Sequence, residues 1–184
     1  MLNYIARRLA LEGFIAFAPD ALFPLGGYPG DEDKAREAFG KLDQGRARED
    51  FVAAANWLKG RPDSNGKIGA IGFCWGGGMV HTLTTRLPEL NAAVVFYGNT
   101  PPPADAEKVK TPLLIHRAAI DERINAAWPA YEAALKAANV KFVAYQYPDT
   151  QHGFNNDTTP RYDAAAAKLA WSRTMDFFKD QLGG

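Results

Sequence analysis

Short apolar runs of strand length alternate with stretches of helical period along this chain, and that alternation limits the fold more than any other property of the sequence. Residues 14–18 (Phe-Ile-Ala-Phe-Ala), 67–71, 92–97, 113–116 and 142–147 each read as a strand. Between them lie helix patterns. Leu2, Ile5 and Leu9 share one face ahead of Gly13, which sits where a C-terminal cap belongs. Ala47, Phe51, Ala54, Ala55 and Leu58 recur at helical spacing. Val80, Leu83 and Leu87 do so before Pro88, and Ala127, Tyr131, Ala134, Leu135 and Ala138 mark another helix. A last helix is expected over about 162–182. Residues 22–30 are rich in Gly and Pro and read as a loop, and residues 63–66 as a turn. Strands that alternate with helices of this length predict parallel βαβ units in a single α/β domain over residues 1–184, a three-layer α/β/α sandwich with a mostly parallel sheet. Ligands in such sheets bind beyond the carboxyl ends of the strands.

Composition removes several function classes. The 184 residues hold 21 Lys plus Arg against 21 Asp plus Glu, so there is no broad basic field of the kind nucleic-acid binding needs. One cysteine, Cys74, permits no internal disulfide and argues against a disulfide-stapled secreted fold. Arg7, Arg8 and Glu12 interrupt the apolar N-terminal stretch where a signal peptide would be continuous. No run of about 18 apolar residues is present to span a membrane. A cytoplasmic location is the resulting expectation.

The chemistry concentrates at Gly72-Phe73-Cys74-Trp75-Gly76, a G-x-C-x-G sequence between a strand and a helix. That is the context of a nucleophile elbow, a strained turn that projects a nucleophile at a helix N-terminus. Side chains two positions either side of the nucleophile are expected to collide, which gives both glycines a steric reason. The helix end favours a thiolate and offers backbone N–H groups to an oxyanion, with Trp75 N–H as the first candidate. A buried structural cysteine is the plainer reading of Cys74 taken alone.

A thiol nucleophile needs an imidazole to take its proton, and the imidazole needs an orienting carboxylate. Asp121 follows the 113–116 strand and His152 follows the 142–147 strand. Alone, Asp121 reads as a helix-capping acid and His152 as a solvated loop histidine. Together with Cys74 they follow the chain order nucleophile, acid, histidine used by α/β-hydrolases. Of the other two histidines, His81 falls inside the helix after the elbow and faces away from the catalytic edge, while His116 ends a strand and is a weaker candidate to line the site. Three histidines so dispersed form no metal-ligand pattern.

The motifs Gly72-Phe73-Cys74-Trp75-Gly76-Gly77-Gly78, Asp121-Glu122-Arg123-Ile124 and Gln151-His152-Gly153-Phe154, with Pro160-Arg161-Tyr162-Asp163 before an Ala-rich helix, resemble the dienelactone hydrolases over essentially the whole chain. The resemblance implies an α/β-hydrolase fold and a cofactor-free hydrolase for a small-molecule ester or lactone. It assigns Cys74, Asp121 and His152 as nucleophile, acid and base. It also implies two substrate-binding arginines at positions that hold Leu22-Phe23-Pro24 and Asn156 here, so neutral substrates are expected unless Arg123 or Arg161 reaches the site. Family members usually have earlier strands and a loop carrying an oxyanion donor. Against that pattern this chain reads as N-terminally shortened, with a strand missing between 14–18 and 67–71 and an unpaired edge open to self-association. A catalytically impaired family member that serves in binding or assembly is the alternative reading. A cysteine peptidase finds no support in a peptide groove.

Overall fold

A computed structural model describes residues 2–183. The chain divides into two compact units, Met1–Ser64 and Asn65–Gly184. The first is helical: α1 (Leu2–Leu11), α2 (Glu32–Gly40) and α3 (Gln44–Lys59), with one short 3₁₀ turn at Phe23–Leu25. Ile5 is buried, and Gly13 closes α1 at φ 92° with its N–H donated to the Ala10 carbonyl. The side chain of Leu2, read from sequence as part of the same face, lies outside the described residues. Aspartates start the other two helices: Asp31 accepts from Lys34 N–H and Asp43 from Arg46 N–H, which satisfies amide donors that have no partner within the helix. The α2 helix is absent from the sequence reading. Its apolar stripe is thin, and the Asp31 cap was the available signal.

The expected strand at 14–18 does not form. The segment runs without ladder partners, and Ile15 and Phe17 are exposed, with the Phe17 ring against Trp57. An apolar run becomes a strand only where a second extended segment takes its N–H and C=O groups.

The second unit holds one sheet of four parallel strands in the order β1-β2-β3-β4: β1 (Gly69–Phe73), β2 (Ala92–Phe96), β3 (Leu113–Ile120) and β4 (Phe142–Gln151). Their connections are α4 (Trp75–Arg86), a 3₁₀ turn (Pro103–Lys108), α5 (Glu122–Asn125) and α6 (Trp128–Ala137), with α7 (Ala164–Leu182) at the end. Every β2 residue is buried, as its uninterrupted apolar sequence requires when both faces are covered. Register places Phe73, Phe96, His116 and Tyr145 in one row across the sheet, and their rings succeed one another at 4.6, 4.3 and 6.3 Å. The α7 helix covers that face: Thr174 reaches His116, and Arg173 lies over Tyr145. On the opposite face Trp128 of α6 packs on Phe142, and α4 packs over β1 and β2. The architecture is the expected α/β/α sandwich, and all its strand pairings are parallel.

Strands β3 and β4 each run four residues past their expected ends. His116 therefore sits inside β3 and not at its end. It is fully buried, donates from Nε2 to Thr174 Oγ1 (3.1 Å) and accepts at Nδ1 from the Tyr147 hydroxyl (2.9 Å). His81 is also buried, edge-on to Tyr131, with Nε2 lacking a hydrogen-bond partner. Burial pushes His81 from 6.5 down to about 4, and burial with the nearby Arg173 charge pushes His116 down to about 3. Both are thus neutral in the fold. Among the described residues, no helix is long and apolar enough to cross a membrane.

These two histidines set an acid limit on stability. The unfolded chain protonates them first, so their contribution is complete above pH 6.5 and is lost as pH falls through about 4 and then about 3. Each adds a slope of up to ~1.4 kcal/mol per pH unit. Urea unfolding of wild type and His81→Leu between pH 6.5 and 4 checks this. The variant is expected to lose less stability over that interval, and parallel curves would contradict the assignment.

Candidate active site

The three chemistry-bearing positions leave the carboxyl ends of β1, β3 and β4. Cys74 is the single residue between β1 and α4, Asp121 directly follows β3, and His152 directly follows β4. Parallel strands put all three on one edge of the sheet. Cys74 has φ 53° and ψ −117°, and its thiol is exposed. A positive φ in a residue with a Cβ is strained and persists only where its surroundings force it.

The forcing element is backbone contact. A Cβ added at Gly72 would lie 2.1 Å from the Gly76 carbonyl oxygen, so β1 and the first turn of α4 touch main chain to main chain. A second contact of this kind lies alongside. A Cβ at Gly98 would lie 2.5 Å from the Gly77 carbonyl carbon, which seats the start of α4 directly on the chain leaving β2. Gly76 corrects the symmetric steric reading, because a Cβ there would meet nothing within 4 Å. The tight side of the bend is Gly72, and Gly76 supplies the carbonyl it would strike.

Asp121 caps α5 loosely, with Oδ1 accepting from Ile124 N–H at 3.4 Å, and is nearly buried. Its Oδ2 accepts from His152 Nδ1–H at 2.6 Å. That bond fixes the tautomer and leaves Nε2 as the free ring nitrogen. The Cys74 thiol is lowered from its ordinary pKa mainly by hydrogen bonding with His152, and further by the His152 charge, the Trp75 N–H and Arg123; burial opposes the change. His152 is raised mainly by the same interaction with Cys74, with Asp121 adding to it and burial opposing. The Nε2 atom is nevertheless buried with no hydrogen-bond partner. Thiol and imidazole thus perturb each other's proton affinity without a formed hydrogen bond at Nε2.

One neighbour, Tyr97, was not read from sequence. Tyr97, at the end of β2, is buried at φ 38° with its ring 5.0 Å from His152 and 5.5 Å from Phe154. Burial, and then the Cys74 charge, push its phenol above the ordinary range; the Asn155 N–H and Arg161 act the other way. Arg123, which donates to Asn99 Oδ1 (2.7 Å), adds positive charge near Cys74. The Arg161 guanidinium lies 3.7 Å from the Cβ position of Gly153, beside His152. Both arginines named from the sequence thus stand near the site. This grouping of titratable side chains and cations is visible in sequence only as residue types, because the distances depend on loop paths.

A strand–elbow–helix bend at one edge of a parallel α/β/α sheet, with an acid and a histidine after later strands in order, defines an α/β-hydrolase. The family model of the dienelactone hydrolases matches residues 1–182, and the chain belongs to that family. It is similar to a provisionally named carboxymethylenebutenolidase of Escherichia coli K12, 34% identical over 194 residues that cover 98% of this chain and 71% of that protein. Among solved structures, a provisionally titled dienelactone hydrolase from Klebsiella pneumoniae superposes with a TM-score of 0.84 at 29% identity, covering 96% of this chain and 79% of that one. A dienelactone hydrolase-like promiscuous phosphotriesterase, P91, from metagenomic libraries gives 0.81 at 25% identity, covering 98% and 80%. The chain is a hydrolase of esters or lactones.

The glycine asymmetry is directly testable. Gly72→Ala is expected to destabilise by at least ~2 kcal/mol, because backbone must move to admit the Cβ. Gly76→Ala, in an open helical position, is expected to be neutral or stabilising by up to ~1 kcal/mol. Denaturant midpoints measure both, and similar losses at the two positions would remove the steric account.

Proposed function

We propose that this chain hydrolyses a carboxylic ester or lactone through Cys74 as nucleophile, with His152 as general base and acid and Asp121 as its orienting carboxylate. The observation that carries the reading is the 2.6 Å Asp121–His152 bond at the same sheet edge as a positive-φ, exposed Cys74 whose thiol and imidazole perturb each other.

Each step arises from these groups. The thiol proton passes to His152 Nε2, and the sulfur attacks the carbonyl carbon, forming a C–S bond. The carbonyl oxygen takes up negative charge, and Trp75 N–H, at the helix start and directed at the thiol region, supplies an oxyanion donor. As the intermediate collapses, the C–O bond to the alkoxide breaks and His152 returns the proton to the leaving oxygen. A thioester remains on Cys74. Water then attacks it while His152 takes a water proton. The C–S bond breaks, the carboxylic acid leaves and the thiol is restored. For a lactone the leaving oxygen stays on the same molecule.

Arg123 and Arg161, the two residues the sequence named as able to change the expectation of neutral substrates, bring positive charge near Cys74 and His152. They favour developing negative charge on the substrate, and they remove the electrostatic basis for expecting neutral substrates. A small-molecule ester or lactone is the partner this site fits, with no cofactor needed by these steps.

Hydrolysis of a p-nitrophenyl ester by wild type, Cys74→Ala, His152→Ala and Asp121→Asn tests the assignment. Cys74→Ala and His152→Ala are expected to lower kcat by at least ~10²-fold, and Asp121→Asn by ~10²-fold or more, the range associated with loss of general acid–base catalysis. Wild-type rates in Cys74→Ala would exclude the thiol as nucleophile.

A further inference from the structure

Asp121 has little support from its own helix cap. Its N-cap bond to Ile124 is long at 3.4 Å, and its other oxygen is committed to His152. The strand that carries it also loses register just before it. The β3–β4 ladder runs regularly to Ala118↔Tyr147 and resumes at Ile120↔Gln151, so the one intervening residue of β3, Ala119, faces three of β4, Pro148, Asp149 and Thr150. On the β4 side the irregularity includes Asp149 at φ 56°. A break of this kind re-aims the residues just beyond it. The residues just beyond this one are Asp121 on β3 and His152 on β4.

One side chain ties this break together. Asn125, the last residue of α5, donates from Nδ2 to the Ala118 carbonyl (2.8 Å) and the Ala119 carbonyl (3.2 Å). Its Oδ1 accepts from Arg117 Nε (3.2 Å) and Nη2 (2.8 Å). Its backbone N–H donates to the Asp121 carbonyl (2.9 Å). The Arg117 guanidinium is itself held 4.7 Å over the Trp128 ring. The Asn125 side chain therefore holds the chain at the break, two residues before Asp121, while its backbone N–H makes the first-turn bond to the Asp121 carbonyl. An amide suits this position because it has two donors for two carbonyls and an acceptor for a guanidinium.

We infer that Asn125, clamped by Arg117, is a positioning residue that sets the end of β3 so that the Asp121 carboxylate meets His152 Nδ1. The inference rests on the triad reading. Asn125 reaches no reacting atom; it acts through Asp121. Its loss is expected to weaken the Asp121–His152 bond and with it the part of the raised His152 affinity for protons that Asp121 provides. The charged and titratable groups facing His152 are Cys74 at the start of α4, Asp121 after β3, Tyr97 at the end of β2 and Arg161 beside Gly153; Arg123 faces Cys74.

The test compares Asn125→Ala, Arg117→Met, Asp121→Asn and the Asn125→Ala/Asp121→Asn double variant on a p-nitrophenyl ester. It adds the His152 titration midpoint by NMR of ¹⁵N-histidine protein in the Cys74→Ala background, which removes thiol coupling. His152 is recognisable there because His81 and His116 titrate far lower. Asn125→Ala is expected to lower kcat by ~10-fold with KM within twofold, to lower the His152 midpoint by ~0.5 or more, and to add no loss on top of Asp121→Asn. Arg117→Met is expected to move both quantities in the same direction by less, and it decides the matter alone if Asn125→Ala does not fold. If these variants lower only the melting temperature, with kcat and midpoint unchanged while Asp121→Asn remains impaired, the positioning role is wrong and the triad stands. If Asp121→Asn keeps wild-type kcat and midpoint, the triad reading itself falls, and this inference with it.

Discussion

The structure around the site depends on one close approach of backbone to backbone. At Gly72 the exit of β1 and the first turn of α4 come so near that a single Cβ would sit 2.1 Å from a carbonyl oxygen. With no side chain there, the chain reverses within one residue, and that residue, Cys74, takes a φ of 53°. The same helix start then rests on Gly98 through Gly77, where a Cβ on either glycine would overlap the other's backbone. These contacts hold the N-terminus of α4 at the carboxyl edge of the sheet. The strain at Cys74 is offset by packing elsewhere, as is usual where a strained residue sits at a functional position.

From that edge the rest of the site is set by position along the sheet. Parallel strands deliver Asp121 and His152 to the same side as Cys74, and the aromatic row Phe73, Phe96, His116 and Tyr145 crosses the sheet beneath those strand ends, with Phe96 and His116 fully buried. Above the row, Tyr97 and Phe154 pack together and Tyr97 backs the His152 ring. Electrostatics then divides the histidines by environment alone. Burial keeps His81 and His116 neutral, while the Cys74 and Asp121 contacts make His152 the one that holds a proton more readily than usual. His152 is set apart from the two buried histidines here by its partners.

Much of this was legible in the residues. The strand–Gly-x-Cys-x-Gly–helix context predicts the bend and its positive φ, and chain order predicts that Asp121 and His152 share its edge. Other features needed the third dimension. Gly72 and Gly76 look equivalent in sequence, yet only one is sterically required, because the collision runs between a Cβ and a carbonyl and not between two side chains. Residues 14–18 are as apolar as the true strands but find no ladder partner, and pairing is a property of neighbours. The strand expected at 113–116 continues to Ile120, with the Arg117 guanidinium taken up by Asn125 and the Trp128 ring. His116 was a site candidate for the same reason, since a shorter β3 would have ended there. Asn125 carried no signal at all in a single sequence, as its role exists only through the break in the β3–β4 register.

The central claim is that Cys74 forms the covalent link to substrate, and trapping that link tests it most directly. The protein is mixed with a p-nitrophenyl ester, quenched in acid within the first turnovers and analysed by intact and peptide mass spectrometry. The account predicts the acyl mass on the peptide bearing Cys74, at a level that tracks the initial burst of p-nitrophenol, and its disappearance after prior alkylation of the thiol together with loss of turnover. Undiminished turnover by the alkylated protein, with no acyl mass on Cys74, would contradict it.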